Sequence, residues 1–88
     1  MIRRRVVAHG LVQGVFFRDS CRQEAERVGV SGWVRNTGEG KLEAAFEGDD
    51  DAVRRMVAWV RRGPPQADVT SVDVADEEPR AERGFTVR

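Results

Sequence analysis

The stretch VSGWVRNTGEGKLEAAFEG, residues 30–48, carries two strand patterns on either side of a turn. Its first part is rich in apolar and aromatic side chains, and its last part alternates apolar with charged positions, as half-buried strands do. The TGEG segment at 37–40 supplies two glycines, which tolerate the positive φ angles of tight turns. The sequence therefore predicts an antiparallel hairpin whose second strand turns Leu42, Ala44 and Phe46 to the core and its charged residues outward.

A helical pattern lies on each side of this hairpin. Residues 19–28 form the upstream one, with an apolar stripe that includes Phe17 and Cys21, and Gly29 ends it. Residues 49–63 form the downstream one, which opens with acidic residues that suit a helix N-terminus and ends in Gly-Pro-Pro. Its apolar side chains recur at i, i+3, i+4 and i+7 and are Val53, Met56, Val57 and Val60.

Further outward, a strand pattern flanks each helix. The strands predicted from the whole sequence are residues 4–12, 30–36, 41–48, 68–76 and the short 84–88. The order is β-α-β-β-α-β with a short fifth strand, and each helix has one apolar stripe with which to cover one face of an antiparallel-dominated sheet. This pattern predicts an α+β fold, the ferredoxin-like sandwich, as a single domain over residues 1–88.

Composition narrows the class of partner. The 88 residues have a formal net charge of zero, which disfavours nucleic acid and anionic membranes as partners. The chain has one cysteine, no segment of transmembrane length and no signal peptide pattern. We therefore expect a soluble, cytoplasmic protein, and the absence of a strong exposed apolar stripe favours a monomer.

The segment QGVFFR, residues 13–18, lies between the first strand and the first helix. Successive backbone N–H groups in such a tight turn can converge on one point, and the free N–H groups of the following helix add to them. Gly14 permits the backbone geometry, and the guanidinium fork of Arg18 matches two phosphate oxygens. The segment predicts a phosphate cradle, although an arginine near a helix start is in general more often a solvated surface residue.

The chemistry of this cradle is limited by what is missing around it. Val12 stands where a cysteine phosphatase would have its nucleophile, and Cys21 falls on the buried stripe of the helix. No cluster of ligand-spaced side chains suggests a metal, and the DDD run at 49–51 suits the start of a helix better than a cation site. The site is therefore suited to a leaving group that needs no acid, such as a carboxylate, and to water aimed by a neutral amide, for which Asn36 is a candidate.

Two segments of the chain resemble the signatures of the acylphosphatase family. GLVQGVFFR at residues 10–18 matches the first signature: Gly, any, Val, Gln, Gly, Val, any, Phe, Arg. GWVRNTGEGKLEAAFEG at residues 32–48 matches the second at every internal spacing, with Leu42 where valine is usual. The resemblance extends over essentially the whole chain.

The resemblance implies hydrolysis of acyl phosphates to carboxylate and phosphate, with no cofactor and no metal. It matches Arg18 to the catalytic, phosphate-binding arginine and Asn36 to the asparagine that orients the attacking water. The phosphate loop that it implies comprises Gln13, Gly14, Val15, Phe16, Phe17 and Arg18. Because Phe16 and Phe17 are adjacent, we expect one to pack in the core and the other to face the pocket.

Two alternatives stay open from the sequence. Ferredoxin-like domains also serve as binding modules, and those that read RNA carry aromatic side chains on the two middle strands. Here strand one has none, and the third strand has only Phe46, on the face assigned to the core. The other alternative is an acylphosphatase-like domain of a larger carbamoyl-transfer protein.

Overall fold

The chain folds into one five-stranded sheet with two helices, seen in a computed structural model that describes residues 1–88. In chain order the elements are β1 (Ile2–Leu11), α1 (Phe17–Val28), β2 (Ser31–Asn36), β3 (Leu42–Gly48), α2 (Asp50–Arg62), β4 (Asp68–Glu77) and β5 (Phe85–Val87). The strands lie side by side in the order β4-β1-β3-β2-β5, and only the β2–β5 pair is parallel. The predicted ferredoxin-like order is confirmed.

The core lies between one face of the sheet and the two helices. Leu42, Ala44 and Phe46 of β3 are fully buried, as the alternation predicts. All four apolar residues predicted for the stripe of α2 are buried against them. Helix α1 packs over β2 and β5, and α2 packs over β1, β3 and β4. The loop that joins β1 to α1 therefore emerges between the two halves of the domain.

The outer face of β3 differs from the prediction, because its charged side chains are covered. Glu43 is 8% exposed and Glu47 is 2% exposed. The strand lies in the middle of the sheet, so long side chains of both neighbours reach across it. Arg5 and Arg35 bind Glu43 at 3.0 and 2.7 Å, and Arg3 binds Glu47 at 3.1 Å. Further hydrogen bonds from the backbone, that of Arg80 first, lower the pKa of Glu47.

The starts of both helices also differ from the prediction. Helix α1 begins at Phe17, two residues earlier than expected, since Phe17 is buried and packs edge-to-face on Trp59 with ring centroids 5.4 Å apart. At the start of α2, Asp49 occupies the N-cap position but its side chain makes no capping hydrogen bond. The acidic run therefore acts there through its charge at the helix N-terminus. Neither helix has the length and apolar character needed to cross a membrane.

Candidate active site

The β1–α1 loop presents a run of free backbone N–H groups. No N–H from Gln13 to Asp19 has an acceptor within the protein, and the first bond of the helix runs from the Ser20 nitrogen to the Phe16 carbonyl at 3.0 Å. The last few of these groups are the open N-terminus of α1, where the helix dipole favours negative charge. The loop and helix together can hold an anion with many donors.

The backbone of this loop adopts two left-handed residues. Gly14 has φ +73°, and Phe16 has φ +61° and ψ 25°, with Val15 between them outside that region. Such alternation turns successive N–H groups toward a common point. Gly14 adopts this conformation without strain. Phe16 is not a glycine, and the left-handed conformation of such a residue costs about 1–3 kcal/mol, a cost typical of functional sites.

Arg18 is the free cation of this region. It is exposed on the first turn of α1 and takes part in no ion pair of the protein. The adjacent Asp19 pairs instead with Arg22, at 3.0 Å. A surface depression of about 420 Å³ is lined by Arg18, Asp19, Arg22 and Val87. The guanidinium fork of Arg18 is therefore available to a ligand.

Asn36 ends strand β2 on the same face as the buried Val34. Its side-chain oxygen, Oδ1, is buried and has no hydrogen-bond partner, and no other buried side-chain nitrogen or oxygen of the protein lacks one. An unsatisfied buried carbonyl costs about 1–3 kcal/mol, so such groups call for a specific explanation. Oδ1 is thus an acceptor that no group of the protein uses.

Gln13 joins the loop to the turn that follows Asn36. Its side-chain Nε2 donates to the carbonyl oxygens of Thr37 and Lys41, at 2.9 and 3.0 Å. The turn is rigid in its own right, since the Thr37 hydroxyl accepts hydrogen bonds from the N–H groups of Glu39 and Lys41. Through Gln13, the anion-binding loop and the asparagine are held in one constellation. The sequence pattern gave no signal of this role, because both acceptors are backbone atoms 24 and 28 residues away.

The two loop phenylalanines point in different directions, as expected. Phe17 is buried in the core and can offer a ligand only its N–H group, whereas Phe16 is 75% exposed. Val15 is buried, so it too contributes backbone rather than side chain. The structure thus brings the loop residues together with the turn after Asn36. The loop offers backbone N–H donors, Arg18 offers a cation, and Asn36 offers a side-chain amide.

Other chemically reactive side chains lie away from this constellation. Burial raises the pKa of the Cys21 thiol, which makes a thiolate nucleophile unfavourable. His9 pairs with Asp73 at 2.8 Å on β1 and β4. No group of three or more His, Cys, Asp or Glu side chains is placed to hold a metal ion.

The family of the chain follows from comparison with known proteins. A family model described as Acylphosphatase matches residues 4–87. An acylphosphatase of Rubrobacter xylanophilus is 57% identical over 88 residues, which cover 98% of this chain and 79% of that protein. An acylphosphatase of Roseiflexus sp. is 52% identical, with 99% of this chain and 95% of that protein covered.

A solved structure gives the same result at the level of the fold. The crystal structure of acylphosphatase from Bacillus subtilis superposes with a TM-score of 0.96 at 31% sequence identity, covering 100% of this chain and 99% of that one. The fold thus agrees with that of an acylphosphatase of similar length. The chain belongs to the acylphosphatase family.

Proposed function

We propose that this acylphosphatase hydrolyses an acyl phosphate by direct attack of water on phosphorus, with no metal and no covalent intermediate. The observation that carries the proposal is the buried, unpaired Oδ1 of Asn36, next to the turn that Gln13 joins to the loop of free N–H groups. The N–H groups of the loop lack an acceptor, which a phosphoryl group would supply. Oδ1 of Asn36 lacks a donor, which a water molecule would supply.

The loop and Arg18 bind the phosphoryl group. Its non-bridging oxygens accept hydrogen bonds from backbone N–H groups between Gln13 and Arg18, and the guanidinium of Arg18 neutralises their charge. These donors need no reorganisation when charge on the phosphoryl oxygens is redistributed in the transition state. Positioning and electrostatic stabilisation are the main contributions that phosphoryl transfer requires of a protein.

Asn36 orients the nucleophile. Its Oδ1 accepts one hydrogen bond from a water molecule and so aims an oxygen lone pair at phosphorus. An amide does not take the proton, so the water is positioned rather than deprotonated before attack. The bond between phosphorus and the acyl oxygen breaks with its electron pair on the carboxylate, and both water protons end on the dihydrogen phosphate product.

The leaving group explains why the site needs no general acid. A carboxylate is stable as an anion, so its departure requires no proton. This fits a site whose named groups are an amide, an arginine and backbone N–H groups.

We further propose that residues 1–88 act as one domain, that the protein is monomeric and that it is cytoplasmic.

The sheet surface gives no support to RNA binding as a second function. Phe46 is fully buried, so it offers no platform on which a base could stack. The outer face of β1 and β3 is occupied by paired charges, such as Arg3 with Glu47 and Arg5 with Glu43. No specific observation favours the carbamoyl-transfer alternative either.

A direct assay tests the proposed function. The purified protein is mixed with benzoyl phosphate in the presence of excess chelator, and loss of the substrate is followed. We expect turnover well above the buffer rate, unchanged by the chelator, and competitive inhibition by inorganic phosphate. A rate equal to that of buffer alone would contradict the proposed enzymatic activity. Loss of activity on addition of chelator would contradict the metal-free mechanism.

A further inference from the structure

Phe16 is in an unusual position for a large apolar residue. It is the N-cap of α1, a place that favours Ser, Thr, Asp, Asn or Gly, and its side chain makes no capping bond. Its backbone is left-handed, and its ring is 75% exposed. The residue therefore neither caps the helix nor packs in the core, although it lies on the phosphate loop itself.

An apolar cavity begins at this ring. Its volume is about 260 Å³, and its lining residues are Val15, Phe16, Ser20, Pro64, Pro65 and Gln66. Three of these residues, Ser20 and the two prolines, also border a larger groove of about 690 Å³ that reaches Trp59. The rings of Phe16 and the prolines thus form the entrance to a groove that starts beside the free N–H groups of the loop.

The geometry of the reaction points toward this cavity. In an in-line displacement, the attacking water and the leaving group stand on opposite sides of phosphorus. In the proposed function Asn36 holds the water, on the side of the turn between β2 and β3 (residues 37–41), to which Gln13 ties the loop. The prolines belong to the connection between α2 and β4, and β4 and β2 lie on opposite sides of β1 in the sheet. The leaving acyl group is therefore directed to the side of Phe16.

We propose that Phe16 and the adjoining proline-walled cavity bind the acyl group, which makes Phe16 a specificity residue for acyl phosphates with aromatic or extended apolar acyl groups. The inference rests on the proposed function, because it takes the position of the water at Asn36 as its reference. A ring stacked on Phe16 gains apolar contact that an acetyl group is too small to make.

The opposite rim of the loop offers a matched control. Val87 is also apolar and 42% exposed, and it lines the depression beside Arg18. It lies on β5, which pairs with β2, so it belongs to the side from which the water attacks. A variant at Val87 removes exposed apolar surface near the site without touching the proposed acyl cavity.

The test compares benzoyl phosphate with acetyl phosphate in Phe16→Ala, Phe16→Gly, Val87→Ala and wild type. We expect both Phe16 variants to raise KM for benzoyl phosphate by roughly threefold to tenfold, the range that an aromatic pair contributes. KM for acetyl phosphate and inhibition by inorganic phosphate should stay near wild-type values in both. The glycine variant relieves the strain of the left-handed residue, so agreement between the two separates loss of the ring from a change in the loop.

Three outcomes would overturn the inference. These are an equal change in KM for both substrates, no change for either in the Phe16 variants, or an effect on benzoyl phosphate confined to Val87→Ala. Wild-type protein that hydrolyses neither substrate would instead contradict the proposed function. The two failures are therefore distinguishable in one set of measurements.

Discussion

Arg18→Ala lowers kcat/KM for benzoyl phosphate by about a hundredfold or more, because one preorganised contact to the transition state contributes about 2.7–4 kcal/mol. It also weakens competitive inhibition by inorganic phosphate, since the same guanidinium binds the ground-state anion. The free energy of unfolding should change little, because Arg18 is exposed and forms no ion pair within the protein. Steady-state kinetics and thermal unfolding of the same preparation measure both effects.

Two further variants isolate the role of the guanidinium. Arg18→Lys keeps the charge but loses the planar fork, so we expect an activity between those of Arg18→Ala and wild type. Arg54→Ala removes an exposed arginine of α2 and should leave kcat/KM and phosphate inhibition unchanged. If Arg18→Ala stays folded and nearly as active as wild type, Arg18 does not bind the phosphoryl group.

Asn36→Ala lowers kcat by roughly a hundredfold, the loss typical of one oriented contact in the transition state, while KM and phosphate inhibition stay near wild type. Water orientation matters only once substrate is bound, so the effect falls on turnover. The variant also removes the buried, unpaired Oδ1, whose burial costs about 1–3 kcal/mol. We therefore expect a melting temperature no lower than that of wild type. A gain of stability together with a loss of activity would show that Asn36 is a functional rather than a structural residue.

Gln23→Ala provides the control for Asn36. Gln23 is an exposed amide of α1 that donates only to Asp19, at 3.0 Å, so its removal should alter neither kcat nor phosphate inhibition. A loss of phosphate affinity in Asn36→Ala equal to its loss of kcat would show that Asn36 binds the anion. A large drop in melting temperature would show that the residue is structural.

The fold follows from the sequence because each element carries its own period. The alternation around Phe46 and the helical spacing of Val53 to Val60 predict which faces are buried. The β-α-β-β-α-β order then limits the fold to a few possible sheet topologies. The burial of Glu43 and Glu47 was not predictable in this way. It depends on β3 lying in the middle of the sheet, with arginines of two neighbouring strands long enough to cover it.

The site was predicted in part, and the reason lies in the range of its contacts. The free N–H groups before α1 follow from a local strand–loop–helix segment, and the family signatures point to Arg18 within it and to Asn36 at the end of β2. The bridge from Gln13 to Thr37 and the unpaired Oδ1 of Asn36 depend on how distant segments meet. Neither feature can be predicted from the periodicity or the composition of the sequence. The same holds for the left-handed backbone of Phe16.

The central claim is that oriented water attacks phosphorus, and the most direct measurement is the fate of oxygen-18 from labelled water. Benzoyl phosphate is hydrolysed by the protein in labelled water with chelator present, and both products are analysed by mass spectrometry. We predict that one labelled oxygen enters each phosphate and none enters benzoate. Label in benzoate would show attack on the acyl carbon, and it would contradict the roles proposed for Asn36 and for the phosphate loop.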